Sequence, residues 1–168
     1  MFFSISKTVF KNFFSDNQVQ SQVRYFQEEE KRLKVVHRIT NNASNIVANS
    51  TRALSVEQPK LISSGDSVYI DSQMMVCQRN METILRYVIY AMLARDTSVL
   101  EKLIFNSLCE SFQSMGIPYK SVIFAIHYMM DDVIKIVKES TGNTPINYIN
   151  LINELTSYFD QVVALFVV

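Results

Sequence analysis

The sequence predicts an all-α protein, and three observations support this fold class. The 168 residues include only 3 Gly and 3 Pro, too few breakers for a turn-rich β-sandwich. Apolar residues recur at intervals of three and four in several segments, the pattern of helices that bury one face. No internal repeat or low-complexity linker divides the chain. We therefore expect one domain over residues 1–168, with helices packed around one core.

The first half of the chain contains an apolar N-terminal stripe, a long loop and an amphipathic helix. The stripe is either a contact surface or a cover for the chain's own core. Residues 55–72, which include Pro59 and Gly65, are the one long candidate loop. The helix after it has the apolar spacing i, i+3, i+4, i+7. The stripe comprises Ile5, Val9, Phe10 and Phe13, and the helix buries Met81, Ile84, Leu85, Val88 and Met92.

Cys77 stands at the start of this helix, on its apolar face, and Asn80 follows one turn later. A thiol in this position is either a packing residue or the attachment point of a long, flat molecule. Spacing alone favours packing, because a free cysteine behaves as a small hydrophobe.

Three more helices are predicted in the second half of the chain. Ser98 and Glu101 have the spacing of a capping box, so one helix begins there and runs until Gly116 stops it. The Thr144-Pro145 dipeptide suits the start of the closing helix. The helix between them has the apolar stripe Val122, Ile126, Met129, Met130, Val133 and Val137, and the closing helix buries Ile152, Leu155, Phe159, Val162, Val163 and Phe166.

Charge and composition exclude several classes of protein. The 16 Lys+Arg balance 16 Asp+Glu, which argues against a nucleic-acid partner. No apolar run approaches the ~18 residues of a membrane span, and Lys7 and Lys11 interrupt the apolar start, so no signal peptide is predicted. The cysteines lack CxxC spacing, and His37 and His127 have no ligand at metal-binding spacing. We expect a cytosolic protein without a metal site, in which Cys109 is a structural or incidental free thiol.

The segment from Cys77 to Val88 resembles the pigment-attachment helix of phycobiliprotein β subunits, of the phycocyanin and phycoerythrin type. That family has a Cys-Leu-Arg-Asp run before a Glu-Ile-Ile-Leu-Arg-Tyr-Val run. Further stretches agree in order and spacing, so the resemblance covers the chain from about Lys31 to the C-terminus. These stretches are Arg38-Ile39-Thr40-Asn41-Asn42-Ala43-Ser44, Glu57-Gln58-Pro59-Lys60-Leu61-Ile62, Asp96-Thr97-Ser98-Val99-Leu100-Glu101, Gly116-Ile117-Pro118 and Ser157-Tyr158-Phe159-Asp160.

The resemblance implies a fold, a function and the residues that carry the function. The fold is a globin-like helical bundle with an N-terminal helical extension that packs against a partner subunit. The protein is a pigment scaffold and not an enzyme, and the sulfur of Cys77 forms a thioether with an open-chain tetrapyrrole, a bilin. Arg79 matches an arginine that neutralises a pigment propionate, and Tyr69 matches a tyrosine near the pigment groove. A solvated surface arginine and a core tyrosine are the alternatives for these two residues.

The sequence also departs from the family pattern. Asn80 stands where the family has an aspartate whose carboxylate accepts hydrogen bonds from the two central pyrrole N–H groups. An amide oxygen still accepts, but charge-assisted hydrogen bonds are roughly twice as strong as neutral ones. The other departures are Ser72 and Gln73 for arginines, Ser67 for an asparagine, and Tyr148, Asn45 and Val56 for attachment cysteines. Because those further attachment cysteines are missing, at most one bilin is expected, either phycoerythrobilin or phycocyanobilin.

Two functional hypotheses follow. The first is a light-harvesting phycobiliprotein β-type subunit that carries one bilin on Cys77 for light absorption and energy transfer in photosynthesis. Its implied partners are an α subunit if one is present, linker proteins or further copies of itself, and a bilin lyase. Its implied location is the cytoplasmic or stromal face of the thylakoid membrane, as a peripheral protein. The alternative is a pigment-poor, degenerate phycobiliprotein with a photosensory, regulatory or protein-interaction role.

Overall fold

The computed structural model describes residues 16–59, 67–140 and 148–167; the side chains of residues 16, 67–69, 99–106 and 140 fall outside this description. These residues form five α-helices and contain no strand, so the all-α prediction is confirmed. The helices are α1 (Asp16–Glu57), α2 (Ser67–Ala94), α3 (Ser98–Ser114), α4 (Tyr119–Ser140) and α5 (Ile149–Ala164).

The chain divides into two compact units, Met1–Lys34 and Val35–Val168. The described part of the first unit is the N-terminal half of α1, whose surface carries ion pairs one turn apart. Lys31 Nζ lies 2.8 Å from Glu28 Oε1, and each such pair adds a few tenths of a kcal/mol to helix stability. The expectation of one domain over residues 1–168 stays a prediction, and the predicted stripe of residues 5–13 lies outside the described residues.

The core of the second unit joins α2, α3, α4 and α5 to the C-terminal half of α1. Helix α5 packs against α2, α3 and α4, and α2 also packs against α3. The apolar stripes predicted for α2 and α4 are buried as expected, except that Met130 is only partly buried. Full burial of each large apolar side chain contributes about 1.5–3 kcal/mol. The α2 stripe is at most 1% exposed at Met81, Ile84, Leu85, Val88 and Met92.

Helix α3 ends at Gly116 as predicted, and the backbone gives the reason. Gly116 has φ +68°, a left-handed conformation that costs a residue without a Cβ little. The N–H of Gly116 donates to the carbonyl of Gln113 at 2.9 Å, and the N–H of Ile117 donates to the carbonyl of Phe112 at 3.0 Å. This pair of bonds is a Schellman motif, and the burial of both Ile117 and Phe112 supplies its hydrophobic contact.

The start of α3 is correctly placed, but its cap is different from the one predicted. The helix begins at Ser98 after the N-cap residue Thr97, whose side chain makes no capping hydrogen bond. The carboxylate of Asp96 instead accepts from the Ser98 N–H at 2.9 Å and from the Ser98 hydroxyl at 2.8 Å. The predicted capping box is therefore wrong, because Ser98 lies inside the helix and Asp96 is a stronger acceptor than a serine hydroxyl.

The long loop predicted for residues 55–72 is also too long. Helix α1 continues to Glu57 and α2 already begins at Ser67, so both ends of that stretch are helical. The side-chain Nε2 of Gln58 donates to the Ser121 hydroxyl at 2.7 Å and ties the end of α1 to α4. As a consequence, Cys77 does not stand at the start of its helix, as the apolar spacing suggested, but three turns inside α2.

Candidate functional site

Cys77 lies on the core face of α2 and is 0% exposed. The side chains one and two turns further along the same face, Met81 and Ile84, are also 0% exposed. Burial raises the pKa of the Cys77 thiol to about 11, because a thiolate would lose its hydration there. Since the thiolate is the nucleophilic form, this sulfur is protonated and weakly reactive at neutral pH while the helix face is closed.

Asn80 lies one turn after Cys77 on the same side of α2 and is 7% exposed. Its side-chain Nδ2 donates to the Ser111 hydroxyl oxygen of α3 at 2.8 Å. A buried polar group without a partner costs about 1–3 kcal/mol, so this bond makes an amide acceptable at the α2–α3 contact. The amide oxygen Oδ1 accepts no hydrogen bond from the described residues and remains able to accept one.

The Arg79 side chain does not lie on the face of α2 that carries Cys77 and Asn80. Its side chain is exposed, and the angular spacing of a helix puts it about 160° around the axis from Cys77. It forms no ion pair with any of the described residues, whereas Arg86 on the same helix pairs with Glu82 at 2.6 Å. The Arg79 guanidinium is therefore a solvated cation on the protein surface. It can reach an anionic group only if that group extends to the surface.

The remaining sequence-predicted positions contribute less to the site. Tyr69 lies in the first turn of α2, and its side chain is outside the described residues. Ser72 is exposed and Gln73 is partly buried. Neither carries the positive charge that an arginine would supply, so the described cation nearest to Cys77 in sequence is Arg79.

Cys109, the second free thiol, has a different environment. It is 9% exposed on α3, and its Sγ lies 4.0 Å from the carbonyl oxygen of Leu165 beyond the end of α5. Burial raises the pKa of this thiol as well. Its neighbours along the helix, Leu108 and Phe112, are both buried and apolar, so Cys109 has the surroundings of a packing residue.

Two features of the structure were missed in the sequence. Ser111 is separated from Asn80 by 31 residues, and no local pattern connects the two. The second feature is a groove of about 230 Å³ between α1 and α4, in which Val56 is 70% exposed. The sequence does carry a signal for this groove, namely apolar residues on faces of α1 and α4 that are otherwise polar. Its lining residues are Asn49, Arg52, Ala53, Val56, Phe124 and Tyr128.

Comparison with known proteins identifies the family. The phycobilisome protein family matches residues 10–165. The R-phycocyanin beta chain of Polysiphonia urceolata and the C-phycocyanin beta subunit of a Nostoc species are each 44% identical over 152 residues, 90% of this chain and 88% of theirs. The C-phycocyanin beta chain of Galdieria sulphuraria is 43% identical over 149 residues, 89% of this chain and 87% of its own.

These matches confirm the resemblance and, with it, the globin-like all-α fold. Among the described residues, none of the helices combines the length and apolar character that crossing a membrane requires. The chain belongs to the phycobilisome protein family, as a light-harvesting phycobiliprotein subunit of the β type.

Proposed function

We propose that this chain carries one covalently attached bilin on Cys77 and passes absorbed light energy on within a phycobilisome. The observation that supports this most is the shared buried face of Cys77 and Asn80, in a chain related to phycocyanin beta chains over nine-tenths of its length. The bilin supplies the visible absorption, and the protein supplies a sulfur, a hydrogen-bond acceptor and a cation. The alternative of a pigment-poor relic is not favoured by these relatives.

The attachment chemistry is an addition. The Cys77 sulfur bonds to a carbon of a double bond in the ring-A side chain, the π bond is lost, and the thiol proton goes to the pigment. No oxidant or reductant is required. Because this sulfur is fully buried and its pKa is about 11, we infer that attachment needs a separate lyase and a state in which this face of α2 is open.

Asn80 and Arg79 hold the pigment in different ways. The Asn80 oxygen accepts from pyrrole N–H groups without a formal charge, so it stabilises a protonated bilin less than a carboxylate would. Arg79 pairs with no carboxylate of the described chain and is available to a propionate that reaches the surface. Ordering so flexible a molecule is entropically costly, and these anchors add to the thioether. Tyr69 is proposed as a further groove residue.

The assembly is proposed to follow the family. The partners are a phycobiliprotein α subunit, linker proteins and the bilin lyase, and further copies of this chain if no α subunit is available. The protein is proposed to sit peripherally on the cytoplasmic or stromal face of the thylakoid membrane and to act as a scaffold without catalytic turnover. The bilin is phycocyanobilin or phycoerythrobilin, which the absorption spectrum of the loaded protein distinguishes.

Co-expression with bilin-forming enzymes and a lyase tests the attachment. A denaturing gel of the product should show zinc-enhanced bilin fluorescence, and Cys77→Ala should abolish the band. Cys109→Ala is the matched control, since it removes the other buried thiol, and its band should be retained. A band that persists in Cys77→Ala and disappears in Cys109→Ala would overturn the assignment.

A further inference from the structure

We propose that the groove between α1 and α4 receives the Met75 side chain of a second copy of this chain, whose Asp71 pairs with Arg52 of the groove. The contact joins two unlike surfaces, so it links copies head to tail. It involves neither Cys77 nor a bound bilin and therefore goes beyond pigment binding. It assigns residues to the self-association that the proposed function leaves without a surface.

The groove exposes apolar and aromatic side chains around a cation. Val56 is 70% exposed, and Phe124 and Tyr128 are each 44% exposed. Arg52 also lines the groove, is exposed and forms no ion pair with any of the described residues. Aromatic residues and arginine are enriched at protein interfaces, so this composition suits a protein partner.

The size of the groove points to a side chain as its occupant. Its volume of about 230 Å³ is below the about 300–1,000 Å³ of typical small-molecule sites. Methionine suits such a groove, because its unbranched thioether side chain fills irregular gaps. A carboxylate close to that side chain would pair with Arg52. The matching partner therefore presents a long apolar side chain with an acidic residue one turn away.

This chain presents such a pair on α2. Met75 is 65% exposed, and Asp71 lies one turn before it, exposed and without a partner among the described residues. Outside the groove, no other exposed large apolar side chain of the described part has an unpaired carboxylate one turn away along its helix. The glutamates near the exposed apolar residues of the N-terminal half of α1 are held in ion pairs. A second copy is therefore the occupant that the described surface supplies.

Further charges also have opposite signs on the two surfaces. Arg79 follows Met75 by one turn and is exposed. Asp132 lies beside the groove, where it accepts a hydrogen bond from Asn49 Nδ2 at 2.8 Å. Because Met75 and Val56 are both exposed in the single chain, Met75 does not fill the groove of its own copy.

Sedimentation velocity of the full-length, pigment-free chain provides the first test. The wild type should sediment increasingly faster than a monomer as its concentration rises towards about 1 mM, where even weak contacts are populated. Val56→Glu and Met75→Glu should each weaken association at least about tenfold, because each buries an unpaired charge in the contact. Leu93→Glu is the matched control, since Leu93 is an exposed apolar residue of α2 about 27 Å along the helix from Met75, and it should associate like the wild type.

Mixing the variants tests whether the contact is head to tail. The Val56→Glu chain keeps an intact Met75, and the Met75→Glu chain keeps an intact groove. An equimolar mixture should therefore form pairs that neither variant forms alone. Exchange of the charges gives a second rescue: Arg52→Asp and Asp71→Arg should each weaken association, and the double variant should recover it.

The possible outcomes are distinct. A wild type that stays monomeric throughout, or that associates no more strongly than Val56→Glu and Met75→Glu, would overturn the proposal. Loss of association in Val56→Glu alone would mean that something other than Met75 occupies the groove and would overturn it as well. So would a mixture or a double variant without recovery. None of these results bears on the thioether, because the denaturing gel of the pigmented Cys77→Ala protein tests that bond separately.

Discussion

The two free cysteines both lie in the core, Cys77 the deeper of the two, and they differ in what surrounds them. Cys77 is 0% exposed and Cys109 is 9% exposed, and burial raises the pKa of both thiols. One turn from Cys77, however, a buried amide reaches across to a hydroxyl on the neighbouring helix. Cys109 has apolar neighbours and a weak contact with a backbone carbonyl. Burial of a thiol alone therefore does not indicate a binding site, whereas a buried, hydrogen-bonded polar pair next to the thiol does.

The largest expected difference between the two regions is in stability. Phe112, one turn after Cys109, is 0% exposed and meets the Phe166 ring edge-on with centroids 6.1 Å apart. Phe112→Ala should lower the free energy of unfolding by about 3–5 kcal/mol. Asn80→Ala should cost less, about 1–3 kcal/mol, because it removes one hydrogen bond and little apolar contact.

Urea denaturation of the pigment-free proteins, followed by far-UV circular dichroism, measures both changes. A lower urea midpoint for Phe112→Ala than for Asn80→Ala would show that the apolar surroundings of Cys109 contribute more to stability than the polar pair beside Cys77. A larger loss in Asn80→Ala would mean that the amide is a main support of the α2–α3 contact, contrary to this comparison.

The next effect concerns thiol reactivity. With its pKa raised from 9.0 to about 11, Cys77 in the folded protein has a thiolate fraction at pH 8 roughly 100-fold below that of the unfolded chain. Alkylation of Cys77, measured in Cys109→Ala to isolate it, should be slowed by at least this factor and should accelerate as the pH rises towards 11. The folded state binds the thiol proton more tightly than the unfolded chain does. The contribution of the Cys77 thiol to the free energy of unfolding is therefore fully present below pH 9 and is lost as the pH rises through 11. A folded-state rate close to that in urea would contradict the burial of this sulfur.

The smallest effect is spectroscopic and belongs to Asn80. Asn80→Asp should strengthen and red-shift the visible band of the pigmented protein and raise its fluorescence yield, since a charge-assisted acceptor favours the protonated, extended bilin. The Ser111 hydroxyl can donate to the new carboxylate, so the fold should tolerate the change. We expect the pH midpoint of the band to rise by roughly one unit. Identical spectra and titrations would mean that no ordered bilin lies against this face.

Much of the fold could be predicted from the sequence, because its signals are local. The apolar stripe of α4 and the glycine stop at Gly116 each depend on residues within a few turns. The C-terminal end of α1 and the start of α2 were harder to place, because the Ser, Val and Asp residues there are weak helix formers and packing overrides their propensity. The Asn80–Ser111 bond could not be predicted, since it depends on how α2 and α3 pack over a separation of 31 residues.

The central claim is that one bilin is bound through Cys77, and mass spectrometry of the co-expressed, pigmented protein tests it most directly. Trypsin releases Cys77 in peptide 61–79 and Cys109 in peptide 103–120. Visible absorption and the added mass of one bilin should appear on peptide 61–79, while peptide 103–120 keeps an alkylatable thiol. Bilin mass on peptide 103–120, or an unmodified Cys77 in a protein that still holds pigment, would contradict the account.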